Sequence, residues 1–102
     1  MFIPTEKVLK RILTMSLAGT RGGPVRLQIL LLLEKNPCNV NEISKKLSLD
    51  YKTIQHHIRV LEKSNLISSS RKKYDNVYEL SALLKAHKDM LKWISANMGK
   101  SN

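Results

Sequence analysis

Residues 41–66, NEISKKLSLDYKTIQHHIRVLEKSNL, constrain the fold of this chain more than any other stretch. Two helical periods stand close together in it. Ile43 and Leu47 lie four apart in the first; Ile54, Ile58 and Leu61 recur at i, i+4, i+7 in the second. The second helix buries only that narrow stripe. Its other faces carry Lys52, Thr53, Gln55, His56, Arg59 and Lys63, side chains suited to base edges and phosphates. A helix, a tight turn and a second helix with a polar, basic outer face make the pattern of a helix-turn-helix, with the second helix as reader.

The charge balance points the same way. Eighteen Lys and Arg stand against 8 Asp and Glu, a formal charge of +10 over 102 residues. Such an excess favours a polyanionic partner, and nucleic acid is the commonest. The length suits one domain with an adequate core. Cys38 is the only cysteine, which excludes an intrachain disulfide and a multi-cysteine metal site and fits a reducing cytoplasm. The opening MFIPTEKVLK is periodic and lacks an uninterrupted apolar core, so it reads as no signal peptide. The longest apolar run, Ile29 to Leu33, is far too short to span a membrane, so no membrane partner is expected. No Ser-His-Asp or Cys-His set, no carboxylate pair in an apolar setting and no phosphate loop is visible. Neither enzymatic activity nor a cofactor is therefore expected.

The flanking segments supply the rest of the fold. Pro4 and Thr5 open a first helix, with Thr5 as N-cap and Glu6 favourable in the first turn. Val8, Leu9, Ile12 and Leu13 form its apolar face, and Gly19, Gly22 and Gly23 end it near Leu17. Gly22–Gly23 reads as a hinge or cap. Pro24 starts a second helix whose Leu27, Ile29, Leu30, Leu32 and Leu33 are too many for one stripe, which places it at the centre of the core. Asn36 and Pro37 stop it, and Cys38 to Val40 is a short extended piece, one rung of a sheet. Asn41 and Asp50 are the expected N-caps of the two helix-turn-helix segments.

After Asn65 the period changes to two. Leu66 to Arg71 and Val77 to Leu80 read as strands, with Tyr78 and Leu80 on one face and Val77 and Glu79 on the other. The basic connection Lys72 to Asn76 makes the pair a wing. A last helix is expected from Ser81 to Met98, stopped by Gly99. Leu84, His87, Leu91, Ile94 and Met98 follow heptad spacing, and Leu83, Ala86, Met90 and Trp93 form a second stripe beside them. A face that wide implies that one stripe packs on the chain's own core and the other on a partner chain. The fold class is thus mainly α with a small β-hairpin wing, in the order α-α-[β]-α-α-β-β-α.

With that order in place, the segment GTRGGPVRLQILLLLEKNPCNVNEISKKLSLDYKTIQHHIRVLEKSNLI resembles the winged-helix repressors of the ArsR-like superfamily, especially short archaeal members. The agreeing features are RLQIL opening the second helix, NEISKKL as the third, and DYKTIQHHIRVLEKSNLI as recognition helix and start of the wing. The resemblance covers residues 19–80 as a winged helix-turn-helix core. Helices in 1–18 and 81–99 match by architecture only. It implies a transcription regulator that binds double-stranded DNA as a homodimer joined through the terminal helices. The interface would then use Val8, Ile12, Leu84, His87, Leu91, Ile94 and Met98. It is silent on effector and target. The metal-sensing branch of the superfamily carries a cysteine pair in the third helix, where EISKKLSL has none, and only His87 and Asp89 lie near each other on the last helix. No metal site is expected.

The remaining candidates divide by position. Tyr51, Lys52 and Thr53 begin the recognition helix, whose N-terminus favours phosphate or the floor of the major groove; Tyr51 is equally suited to packing between the two helices. Gln55 suits adenine, Arg59 suits guanine or phosphate, and His56 and Lys63 share the exposed side. His57 points about 100° from His56 and so nearer the apolar stripe, as a partly buried structural residue. Arg71, Lys72 and Lys73 place positive charge on the wing, where DNA backbone or minor groove lies within reach. Cys38 reads as a small buried hydrophobe. Two rivals remain: a winged-helix protein-interaction module of transcription machinery, and a sequence-tolerant architectural DNA binder.

Overall fold

The computed structural model of the protein describes residues 6–72 and 75–99. Its elements run α1 (Glu6–Ser16), α2 (Gly23–Lys35), α3 (Val40–Leu47), α4 (Tyr51–Lys63), β1 (Ile67–Lys72), β2 (Asp75–Leu80), α5 (Ala82–Ala86) and α6 (Asp89–Gly99). The architecture is a winged helix-turn-helix: helices around one core, with an antiparallel hairpin as wing.

In α1, Leu9 and Leu13 are fully buried, and Leu17 continues their spacing just past the helix end. The capping role of Thr5 falls outside the described residues. Lys10 lies 3.8 Å from Glu6 and sits 5.2 Å from the centroid of the Trp93 ring, tying α1 to α6. Gly23 allows the tight passage from α1 into α2, because a Cβ there would stand 1.8 Å from the Leu17 carbonyl oxygen. Gly22 is the N-cap of α2, and Pro24 lies in its first turn. As its composition predicts, α2 is central: it packs against α3, α4, α6 and β2. Ile29, Leu30 and Leu33 are buried there, each worth about 1.5–3 kcal/mol of burial.

Three expectations need correction. The N-cap of α3 is Asn39, not Asn41. The Asn39 side chain accepts from the Glu42 N–H at 2.8 Å while the Glu42 carboxylate accepts from the Asn39 N–H at 2.9 Å. Only the 39/42 spacing closes that reciprocal box. In the wing, β1 lies one residue later than expected, at Ile67–Lys72, and β2 begins two residues earlier, at Asp75, because ladder pairing continues through Arg71↔Asn76 to Lys72↔Asp75. Lys73 and Tyr74 alone remain as the connection, outside the described residues. Cys38 does form a rung, exchanging backbone hydrogen bonds with Tyr78 at 3.0 and 2.8 Å.

The last helix is also not continuous. It breaks after α5 at His87, whose N–H returns to the Leu84 carbonyl, and tight turns bring Met90 N–H to His87 O and Leu91 N–H to Lys88 O. In a straight helix Leu84 and Met90 would point about 120° apart. The break lets Leu84, Met90, Leu91 and Ile94 all enter the same core, where each is at most 4% exposed.

Candidate nucleic-acid interface

Local chemistry fixes where α4 begins. Ser48 adopts a left-handed backbone (φ 55°) to end α3, and its turn is closed by the Leu49 N–H on the Ser44 carbonyl at 3.1 Å and by the Ser44 hydroxyl donating to the Leu49 carbonyl. Asp50 then caps α4, as the sequence predicts, accepting from the Thr53 N–H and hydroxyl. Those bonds, the hydroxyl's first, hold the Asp50 carboxyl below its usual range. The Thr53 hydroxyl is therefore engaged in the cap.

From that start, the helical period sorts the side chains. Ile54, His57, Ile58 and Leu61 face inward and are buried. Lys52, His56, Arg59 and Lys63, at i, i+4, i+7 and i+11, are exposed and form one strip of three cations and an imidazole on the opposite side. Tyr51 is 50% exposed, so it does not pack between the helices. Together with half-buried Gln55 it flanks the strip on the wing side. There, Tyr51 and Gln55 border a recess of about 190 Å³ whose other walls are Asn39, Val40 and Asn41 at the start of α3 and Asn76 and Tyr78 of β2. Arg71 and Lys72 end β1 beside it in sequence, and Lys73 lies outside the described residues. Recognition helix, third-helix N-terminus and wing thus converge on one polar surface.

Sequence reasoning missed Asn39, Asn41, Asn76 and Tyr78 as neighbours of the reading face. The wing register that brings Asn76 and Tyr78 there is a non-local pairing with no local signature. It also missed Arg26, whose Nε donates to His57 Nδ1 at 3.1 Å. His57 is 7% exposed, as its position nearer the stripe predicts. Burial first, then the Arg26 guanidinium and His56, push its pKa below the ordinary histidine value. Cys38 is buried, and that burial raises its thiol pKa, so it is a core side chain and a poor nucleophile at neutral pH.

The residues expected to form a dimer contact do not form one surface. Leu84, Leu91 and Ile94 are at most 1% exposed within a single chain, and the broken last helix accounts for it: they fill the protomer's own core. Val8, Ile12, His87 and Met98 are half-buried. Met15, which the sequence reading left out, is 72% exposed three residues beyond Ile12, and the two border a shared recess with Ser64 and Asn65. No helix of the described residues is long and apolar enough to cross a membrane.

Comparison with known proteins places this geometry. Residues 23–69 match the profile described as bacterial regulatory protein, arsR family. Over 61 residues the chain is 33% identical to an uncharacterized HTH-type transcriptional regulator of Methanocaldococcus jannaschii, covering 60% of this chain and 64% of that relative's length. The transcriptional regulator HlyU from Vibrio vulnificus superposes with a TM-score of 0.69 at 23% identity, covering 88% of each chain. The homodimeric winged helix-turn-helix DNA-binding domain of a Mycobacterium bovis protein does so at 0.68 and 22%, covering 95% of this chain and 91% of that one. Those two likenesses establish the fold. Residues 23–69, from the first turn of α2 into β1, are the part of this winged-helix chain that is similar to the arsR family.

Proposed function

We propose that this chain is a transcription regulator that binds duplex DNA as a homodimer, with α4 in the major groove and the wing on the backbone or minor groove. The exposed strip Lys52–His56–Arg59–Lys63, three cations and an imidazole set opposite the buried stripe of α4, carries this reading. Gln55 and Arg59 meet base edges; Lys52, His56 and Lys63 meet phosphates or groove edges; Tyr51 meets the backbone at the helix start, while Thr53, with both its donors held by Asp50, secures that start. Arg71, Lys72 and Lys73 add wing contacts. The net charge of +10 supports the same partner, since phosphate neutralisation supplies much of the affinity.

Homodimerisation draws support from the M. bovis neighbour, which is described as homodimeric. Ile12 and strongly exposed Met15 on α1 are the apolar surface offered to a partner, and Met98 of α6 borders a separate recess with Leu27 and Leu31. A two-fold axis would set the two α4 helices in successive major grooves, roughly 34 Å apart, on a near-palindromic site.

Selection of bound fragments from a random duplex pool, followed by competition against unselected DNA at stated salt, tests the reading. The selected duplex should bind at least about a hundredfold more tightly than random sequence, within or near the range of specific regulators. Equal affinity for both would make the chain a sequence-tolerant architectural protein, and no duplex binding would leave a protein-interaction module.

A further inference from the structure

His57 is the only buried polar or charged side chain among the described residues, and DNA contact leaves it unused. Its Nδ1 accepts from Arg26 Nε at 3.1 Å. An imidazole nitrogen accepts only while it carries no proton. Arg26 also reaches back toward α1: its Nη1 donates to the Ser16 carbonyl at 2.8 Å and to the Thr20 hydroxyl at 3.4 Å. Thr20 in turn donates to the Leu17 carbonyl at 2.9 Å. One side chain on α2 therefore joins the end of α1 to the middle of α4. Gly22 leaves room for the junction, since a Cβ there would stand 2.7 Å from both Arg26 Nη2 and His57 Cε1.

We propose that Arg26 and His57 are a positioning couple that holds α4 in its DNA-reading orientation while His57 is neutral and releases it when acid protonates His57. The DNA half of this rests on the function proposed above. A proton on Nδ1 removes the acceptor and leaves two cations facing each other across the former hydrogen bond. The charged groups acting on His57 are Arg26 from α2 and His56 beside it on α4, its ring centroid 5.3 Å away. Neither is an acid. The α1–α2 turn presents uncharged Gly22 and Thr20. Among the described residues, the charged groups acting on His57 do not compensate a second positive charge. His56 is a second imidazole exposed on the DNA face, and the test removes it so that His57 alone is read.

Two measurements on the full chain test the couple. Side-chain NMR of the free protein should find His57 Nδ1 unprotonated at neutral pH, and the Arg26 Nε–H signal should move together with the His57 titration. An Nδ1 that carries its proton at neutral pH, or an Arg26 signal indifferent to His57, overturns the proposal without reference to DNA. The second measurement is affinity for the selected duplex at about pH 7.5 and about pH 5.5, at fixed ionic strength, in a His56→Asn background that removes the second imidazole. Affinity should fall by at least about fivefold on acidification, the lower end of ordinary coupling between two sites. Adding His57→Gln, whose amide oxygen can accept from Arg26 at any pH, should bring the ratio close to one. A fall of the same size with His57→Gln, or no fall in its absence, overturns the proposal. If no duplex is preferred at any pH, the DNA-binding reading fails, and the NMR result alone decides whether the couple exists.

Discussion

Met15 offers the sharpest separation of association from folding. It is 72% exposed in the protomer, so replacing it removes almost nothing from the chain's own core. Fully burying a Met side chain is worth about 1.5–3 kcal/mol, so covering the exposed part of Met15 at an interface is worth about 1–2 kcal/mol. A two-fold interface contains the residue twice, giving about 2–4 kcal/mol for the dimer. Met15→Ala should therefore raise the dimer Kd by about thirtyfold to about a thousandfold. Protomer stability should stay within about 0.5 kcal/mol of the parent. Leu91→Ala should do the reverse, because Leu91 is 1% exposed within one chain: its cost is about 2–5 kcal/mol of protomer stability. Sedimentation velocity from nanomolar to tens of micromolar, with urea unfolding followed by circular dichroism, reads both quantities. A Met15→Ala dimer as tight as the parent would refute the placement of the interface on α1. A parent chain that is monomeric at tens of micromolar would refute the dimer itself.

Further outcomes follow from the caps, the α1–α2 turn and the buried imidazole. Asn39→Ala should cost about 0.5–2 kcal/mol in urea unfolding by opening the capping box, whereas Asn41→Ala should change stability by less than about 0.5 kcal/mol. Gly23→Ala should cost about 3 kcal/mol or more, because the added methyl meets the backbone oxygen of Leu17 at 1.8 Å and that oxygen cannot swing aside. Gly19→Ala meets nothing within 4 Å and should cost only the about 1–2 kcal/mol of a left-handed backbone (φ +73°). For His57 the folded-state pKa is depressed, so above about pH 6.5 the imidazole is neutral in both states and its contact with Arg26 is intact. As pH falls through that value the unfolded chain takes up a proton that the folded chain resists, and stability should decline until the lower folded value is passed. The decline should be absent from His57→Gln in urea unfolding across the same pH range.

What could be read without coordinates was what neighbouring residues decide. The stripe Ile54–Ile58–Leu61, the Asp50 cap and the glycine-rich break before Pro24 are all local, and α4 and the start of α2 fall where these signals place them. Asn39 was legible too: Glu42 stands three residues on, and that spacing outranks the nearer-looking Asn41. The wing's full length was not, because Arg71↔Asn76 and Lys72↔Asp75 pair through the ladder and not through side-chain pattern. The break at His87 carries no proline or glycine. It follows from four apolar side chains that a straight helix cannot turn toward one core, which only the packed neighbours disclose. Arg26 was visible as a cation amid leucines, but its partner lies 31 residues away on another helix. Met15 extends the Val8–Ile12 stripe at i+7, so the pattern could have included it; that it stays exposed where Leu9 and Leu13 are buried is decided by the packed neighbours.

The claim that α4 reads DNA while the wing grips it is tested most directly by binding of Gln55→Ala and Lys72→Ala to a selected and a random duplex across a salt series. Loss of a base contact removes about 1–3 kcal/mol of discrimination at one position, so Gln55→Ala should narrow the gap between the two duplexes and leave the salt slope nearly unchanged. Loss of a phosphate contact weakens all sequences alike and lowers the slope by about one per contact, or about two per dimer, so Lys72→Ala should keep the ratio and flatten the slope. If Lys72→Ala erases sequence preference while Gln55→Ala keeps it, the reader is the wing and not α4.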